Sequence, residues 1–156
     1  MIRLSRITDY GIVLMVRLAQ NPDGEARNAR NLAGEADLPV PMVSKVLKTL
    51  ARAGLLSSQR GSKGGYTLAR SAEDISVPEM ITALEGPISF TECSAHPGAC
   101  SQESSCGVRE PWQRINSAVH ESLAKISLAD LATPEVPGSI VPLSALRVDL
   151  ASAGLE

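Results

Sequence analysis

A chain of 156 residues with 44% hydrophobic and 21% charged side chains can build one folded unit with an appendage, which excludes two full-sized domains and wholesale disorder. Its net charge of −2 conceals an asymmetry. Residues 1 to 70 hold eleven Lys/Arg against five Asp/Glu, or +6, and the remainder four against twelve, or −8, the pattern of a basic unit facing nucleic acid beside an acidic unit kept off the phosphates.

In chain order, Ser5 is placed to cap a first helix whose apolar residues Ile7, Tyr10, Leu14 and Leu18 share one face. The stretch from Gly11 to Ala19 is interrupted by Arg17 and too short to cross a bilayer, and no cleavage site follows it. A cytoplasmic protein without a membrane segment is the expectation. Ala29, Leu32, Ala33 and Ala36 mark a second helix, and the turn at Asp37-Leu38-Pro39 leads into a third. That helix carries Pro41 in its first turn, runs to about Arg52 and stops at Gly54. Val43, Val46, Leu47 and Leu50 form its inner face, with Ser44, Lys45, Lys48 and Arg52 opposite.

Strands are predicted at 55–59 and 65–69, joined by a glycine-rich tip holding Arg60 and Lys63. Three helices and a basic hairpin make a winged helix-turn-helix. The outer face of the third helix has three cations and no acid, and a merely solvated face would mix signs. Ser44 and Lys45 are therefore expected at base edges in the major groove, Lys48 and Arg52 at phosphates, Arg60 in or beside the minor groove, and Lys63 on the backbone.

Ser76-Val77-Pro78-Glu79 reads as a capping box opening a helix that Gly86 closes. The three cysteines, Cys93, Cys100 and Cys106, fall in the loop that follows. An odd number of cysteines in so short a stretch argues against a disulfide framework. Three soft sulfur donors on a glycine-containing loop suit an iron-sulfur cluster; a structural zinc, for which the spacing is wide, and a bare thiol switch are the alternatives. A fourth ligand could come from His96, inside the loop, or from Asp9 in the first turns of the first helix. Trp112, Ile115, Val119, Leu123 and Ile126 then mark a long helix over 107–131, read as a dimerisation helix because the stripe exceeds what a small winged domain can cover. Residues 132–156 are expected to be a mobile, functionally silent tail.

Four strings carry a resemblance: Arg3 to Tyr10, Val43 to Lys48, Arg60 to Arg70, and the triple-cysteine loop. Together they resemble the IscR-like winged-helix regulators over residues 1 to about 132. Glu85-Gly86-Pro87, Thr91-Glu92-Cys93 and Trp112 to Asn116 are most similar to regulators of the SUF cluster-assembly operon. The resemblance implies a homodimer with one cluster per subunit, [2Fe-2S] or [4Fe-4S], whose state decides how the two heads grip double-stranded operator DNA. Where IscR has a histidine ligand three residues after the last cysteine, this chain has Arg109. In the nitric-oxide-sensing branch the fourth ligand is an aspartate near the start of the partner's first helix, a position that Asp9 matches.

The expected architecture is thus mainly α with a small β-hairpin wing. Residues 1–70 form the DNA-binding winged helix-turn-helix, 71–106 the linking helix and cysteine loop, 107–131 the dimerisation helix and 132–156 the tail. The expected function is a DNA-binding regulator, a repressor of SUF-type cluster assembly genes that senses cluster status. A nitric-oxide or redox sensor of the same fold is the sibling reading, and an iron-sulfur electron carrier or scaffold the reading from another class. No nucleophile-base pair is apparent, so an enzyme is not expected.

Overall fold

The computed structural model describes residues 3–21, 23–61, 64–96 and 98–133. Helix α1 (Arg6–Ala19) starts where Ser5, in extended backbone, accepts a hydrogen bond on its side chain from the Thr8 N–H. Helix α2 (Ala29–Ala36) is capped in the same way by Asn28, whose Oδ1 accepts from the Asn31 N–H at 2.8 Å. Asp37 ends it in a left-handed conformation, φ 52°, which the short polar side chain tolerates, and the Leu38 N–H reaches back to the Ala33 carbonyl. Helix α3 (Val40–Arg52) follows and closes in a Schellman arrangement around Gly54, φ 76°: the Gly54 N–H donates to the Ala51 carbonyl and the Leu55 N–H to that of Leu50.

The core forms where α1, α2 and α3 meet. Leu14 and Met15 of α1, Leu32 of α2, and Val43, Leu47 and Leu50 of α3 are completely buried. The expected inner face of α3 is the observed one. That of α1 is rotated, because Ile7 is 43% exposed and Tyr10 only half-buried, while Gly11 and Met15 lie inside. Gly11 sits at a close crossing, where a Cβ would fall 2.4 Å from Leu84 Cδ1 and 3.4 Å from Val46 Cγ1.

Strands β1 (Leu56–Gln59) and β2 (Gly65–Leu68) pair antiparallel, Leu56 opposite Leu68 and Gln59 opposite Gly65, as the wing was predicted to do. A third segment joins them unannounced: Arg27 exchanges both backbone hydrogen bonds with Tyr66, at 3.0 and 2.9 Å. This contact requires a glycine at position 65, since a Cβ there would lie 2.5 Å from the Arg27 carbonyl carbon and oxygen and 2.8 Å from the Asn28 nitrogen. Gly65→Ala is expected to destabilise the chain by about 1–3 kcal/mol, as overpacking does. Faster amide exchange at Arg27 and Tyr66 would locate the damage, and unchanged exchange would dismiss this account.

Helix α4 (Val77–Glu85) begins with the expected capping box, the Ser76 N–H and hydroxyl both donating to Glu79 Oε2 at 2.9 Å, and Gly86 ends it. Glu85, on its last turn, crosses to the start of the chain and accepts from the Ser5 N–H at 2.6 Å and from the buried Thr8 hydroxyl. The Thr8 hydroxyl, then the Ser5 amide, hold the Glu85 carboxyl below its ordinary range. A depressed carboxyl stabilises the fold above the unfolded glutamate value of about 4.3, and that stability is lost as pH falls through the folded value. The stability difference between the natural chain and Glu85→Gln should therefore shrink on going from pH 7 to below about pH 4; a constant difference in urea midpoints would contradict it.

The expected helix over 107–131 is two helices. Helix α6 (Arg109–Ala124) follows the short helix α5 (Glu92–Ala95), and α7 (Leu128–Ala132) begins anew because Ser127 and Asp130 form a second capping box. Between them the chain is extended: the Val77 N–H donates to the Ile126 carbonyl at 3.0 Å and the Leu128 N–H to that of Ile75 at 2.7 Å. Leu128 and Ile75 are both completely buried, so α7 belongs to the winged unit's core. The apolar stripe divides accordingly: Val119 and Leu123 are half-buried, while Trp112, Ile115 and Ile126 are 38%, 45% and 39% exposed. Among the described residues no helix is long and apolar enough to cross a membrane. The tail expected at 132–156 falls, from residue 134 on, outside the described residues.

Candidate functional site

The first candidate site is the outer face of α3. With Val43, Val46, Leu47 and Leu50 pinned inward by burial, the helical period turns Lys45, Lys48 and Arg52 outward, and all three are exposed. Together with Pro41, Ser44 and Thr49 they line a shallow open depression. Ser44 is half-buried, and Thr49 donates its hydroxyl to the Lys45 carbonyl at 3.1 Å, which leaves the neighbouring lysines to set the chemistry of this face.

Ion pairing sorts the cations of the basic half. Arg27 is paired with Glu35 and Arg70 with Glu79. Among the described residues no salt bridge involves Lys45, Lys48, Arg52 or the exposed Arg60, which directly follows β1. Lys63, expected at the wing tip, lies outside the described residues. The structure thus offers a row of uncompensated cations on one helix with another at the wing, an arrangement suited to phosphates and groove edges.

The second candidate site is the cysteine loop between α4 and α6. Cys93 lies on α5, with its sulfur 3.3 Å from the Thr91 hydroxyl. Cys100 follows the turn at Gly98, and Cys106 ends the short 3-10 turn Glu103–Ser105. All three thiols are free and half-buried. His96 is exposed and uses its backbone N–H on the Glu92 carbonyl; Asp9 is exposed in the first turn of α1. Within the single chain the three cysteines and His96 share a region of sequence, with Asp9 more than 80 positions away on α1, and among the described residues no three His, Cys, Asp or Glu side chains gather closely enough to hold a metal ion. The donor set itself, three thiols with no disulfide among them, fits iron or an iron-sulfur cluster, and such sites commonly assemble only as the metal binds.

Three groups at this site escaped the sequence reading. Glu85, met in the sequence only within a resembling string, is the residue before the loop and binds the N-cap and first turn of α1, a contact reaching 80 positions to Ser5 that no local pattern announces. Glu103 is the second, accepting from the Gly98 N–H at 2.6 Å and from Arg109 Nη2 at 2.7 Å. Arg109, met in the sequence only as a departure from a ligand position, is the third.

Residues 4–134 match the Rrf2 family, described as an iron-dependent transcriptional regulator. The chain is 29% identical to protein rrf2 of Nitratidesulfovibrio vulgaris over 129 residues, 83% of this chain and 86% of that protein. Its structure is similar to that of CymR, the global cysteine regulator of B. subtilis, with a TM-score of 0.67 and 32% identity over 85% of this chain and 97% of the other. It is also similar to T. potens IscR, with a TM-score of 0.61 and 31% identity over 83% of this chain and 85% of that one. These likenesses bear out the mainly helical winged fold with its two-stranded wing.

Proposed function

Since this chain belongs to the Rrf2 family of DNA-binding transcription regulators, we propose that it is a homodimeric, cytoplasmic repressor of SUF-type cluster assembly genes, sensing cluster status through Cys93, Cys100 and Cys106. The observation that carries the sensing half is three free, half-buried thiols on one loop between the winged unit and α6. The uncompensated row of Lys45, Lys48 and Arg52, with Arg60 at the wing, supports the DNA half, to which the sequence adds Lys63.

In this reading the three cysteines hold one cluster per subunit, and Asp9 of the partner subunit supplies the fourth ligand in preference to His96. When bound, the cluster supplies a redox- and iron-sensitive cross-link. The chain's own part is mechanical. Glu85, one residue ahead of the loop's opening glycine, grips Ser5 and Thr8, and Asp9 is the next residue on α1, so the loop and the proposed ligand helix share an anchor. The exposed Val108, Trp112 and Ile115 lie on one side of α6 and give a second copy an apolar face to cover. A helix-turn-helix dimer requires its half-sites at one separation, so a shift between the two heads alters operator affinity with every base contact retained.

Iron and acid-labile sulfide per subunit, measured on chain purified without oxygen, test the sensing half. Near-stoichiometric values are expected, falling close to zero when any one of the three cysteines is replaced by alanine, with Asp9→Ala retaining less iron at unchanged stability. No iron after reconstitution would leave a winged-helix regulator whose cysteines hold zinc or act as thiols alone.

A further inference from the structure

The cysteine loop contains a hydrogen-bonded circuit that links two of its thiol-bearing turns. The Glu103 N–H donates to the Cys100 carbonyl at 3.1 Å, and the Arg109 N–H to the Cys106 carbonyl at 3.3 Å. The Glu103 and Arg109 side chains then meet at 2.7 Å, and the second oxygen of Glu103 takes the Gly98 N–H at 2.6 Å. One carboxylate, only 12% exposed, thereby ties together the backbone on both sides of Cys100 and the start of α6 just beyond Cys106.

Arg109 has more to give. Its Nε is buried and, among the described residues, has no hydrogen-bond partner. A buried N–H left without an acceptor is costly, so Nε calls for one, while the other end of the guanidinium, on a side chain 43% exposed, is already paired with Glu103. The surrounding sequence sharpens that demand. Between Arg70 and Arg109 there is no Lys or Arg, while six Asp/Glu and all three cysteines fall in that stretch. A guanidinium has no lone pair to offer a metal, so Arg109 cannot replace the histidine ligand of similar regulators. It can donate N–H bonds to anionic sulfur and offset its charge.

We propose that Glu103 and Arg109 are positioning residues of the cysteine site: Glu103 clamps the Cys100 and Cys106 turns, and Arg109 supplies the anionic sulfur set with its cationic N–H donor. The donor role rests on the cluster reading given above; the clamp does not. Outer groups that hold metal ligands typically change metal retention by about 10–100-fold when removed.

Two measurements on Glu103→Gln, Arg109→Gln and Arg109→Lys decide the matter. On metal-free chain, amide exchange over residues 98–106 should be several-fold faster in Glu103→Gln and Arg109→Gln, with Arg109→Lys between them and the natural chain. Exchange equal to the natural chain would overturn the clamp. On reconstituted chain, iron release to a chelator should be about tenfold faster in Arg109→Gln and intermediate in Arg109→Lys. Release at the natural rate in both would overturn the donor role. If the natural chain takes up no iron, the cluster reading falls and the donor role falls with it, while the exchange comparison still decides the clamp. Should Arg109→Gln fail to fold, Glu103→Gln and Arg109→Lys carry both comparisons.

Discussion

Replacing Leu128 by alanine is expected to lower the unfolding free energy by about 2–5 kcal/mol, the cost of emptying a fully buried leucine site. Leu128 is completely buried, and its N–H is held at 2.7 Å by the carbonyl of Ile75, itself completely buried. The neighbouring pairing of Val77 with Ile126, and the bond from Gln20 Nε2 to the Ala132 carbonyl at 2.9 Å, fasten the same segment across α1 and α4. These bonds, two between backbone groups and one from a side chain, hinder collapse around the vacated volume, which favours the upper part of the range. Urea unfolding with intact α3 and wing measures it. A loss under about 1 kcal/mol would mean that α7 is a peripheral attachment, because surface substitutions cost little. The same experiment bears on the domain division: a large loss places α7 with the DNA-binding unit and leaves α6 alone as the proposed dimer element.

The second large effect concerns DNA. If Lys45, Lys48, Arg52 and Arg60 of each of two subunits displace counterions, the logarithm of operator affinity should fall with the logarithm of salt at a slope of about −7. Between 50 and 200 mM salt that amounts to roughly a 10³- to 10⁵-fold loss. Lys48→Ala should weaken binding about equally on all sequences, whereas Lys45→Ala should relax the preference at one base pair, worth about 1–3 kcal/mol. Equilibrium titrations on operator and scrambled duplexes at several salt concentrations separate these outcomes. A flat salt profile would remove the outer face of α3 from the interface.

The DNA half was the more legible of the two sites because its signals are local. Four apolar residues of α3 at helical spacing force the cations between them outward, and the wing is announced by two short strands around glycines. The face of α1 was less so: a helix crossing that needs the bare Cα of Gly11 reads, in sequence, as a missing apolar residue. The stripe from Trp112 to Ile126 was legible as apolar but not as divided. Ser127 can continue a helix or cap a new one, and the pairing of Ile126 with Val77 decides between them.

The sequence by itself determined the helix starts at Ser5 and Ser76, the helix-turn-helix, the charge division between the two halves and the three-thiol loop. Each follows from backbone propensities, side-chain periodicity or counting, which act over a few residues. Only the tertiary structure decided that Arg27 pairs with the wing, that Glu85 binds the first turn of α1, that Glu103 and Arg109 close the cysteine loop, and that α7 belongs to the core. Those contacts join groups whose partners are set by how helices cross and strands align. A carboxylate or a serine reads alike in sequence whether it faces water or a partner 80 positions away.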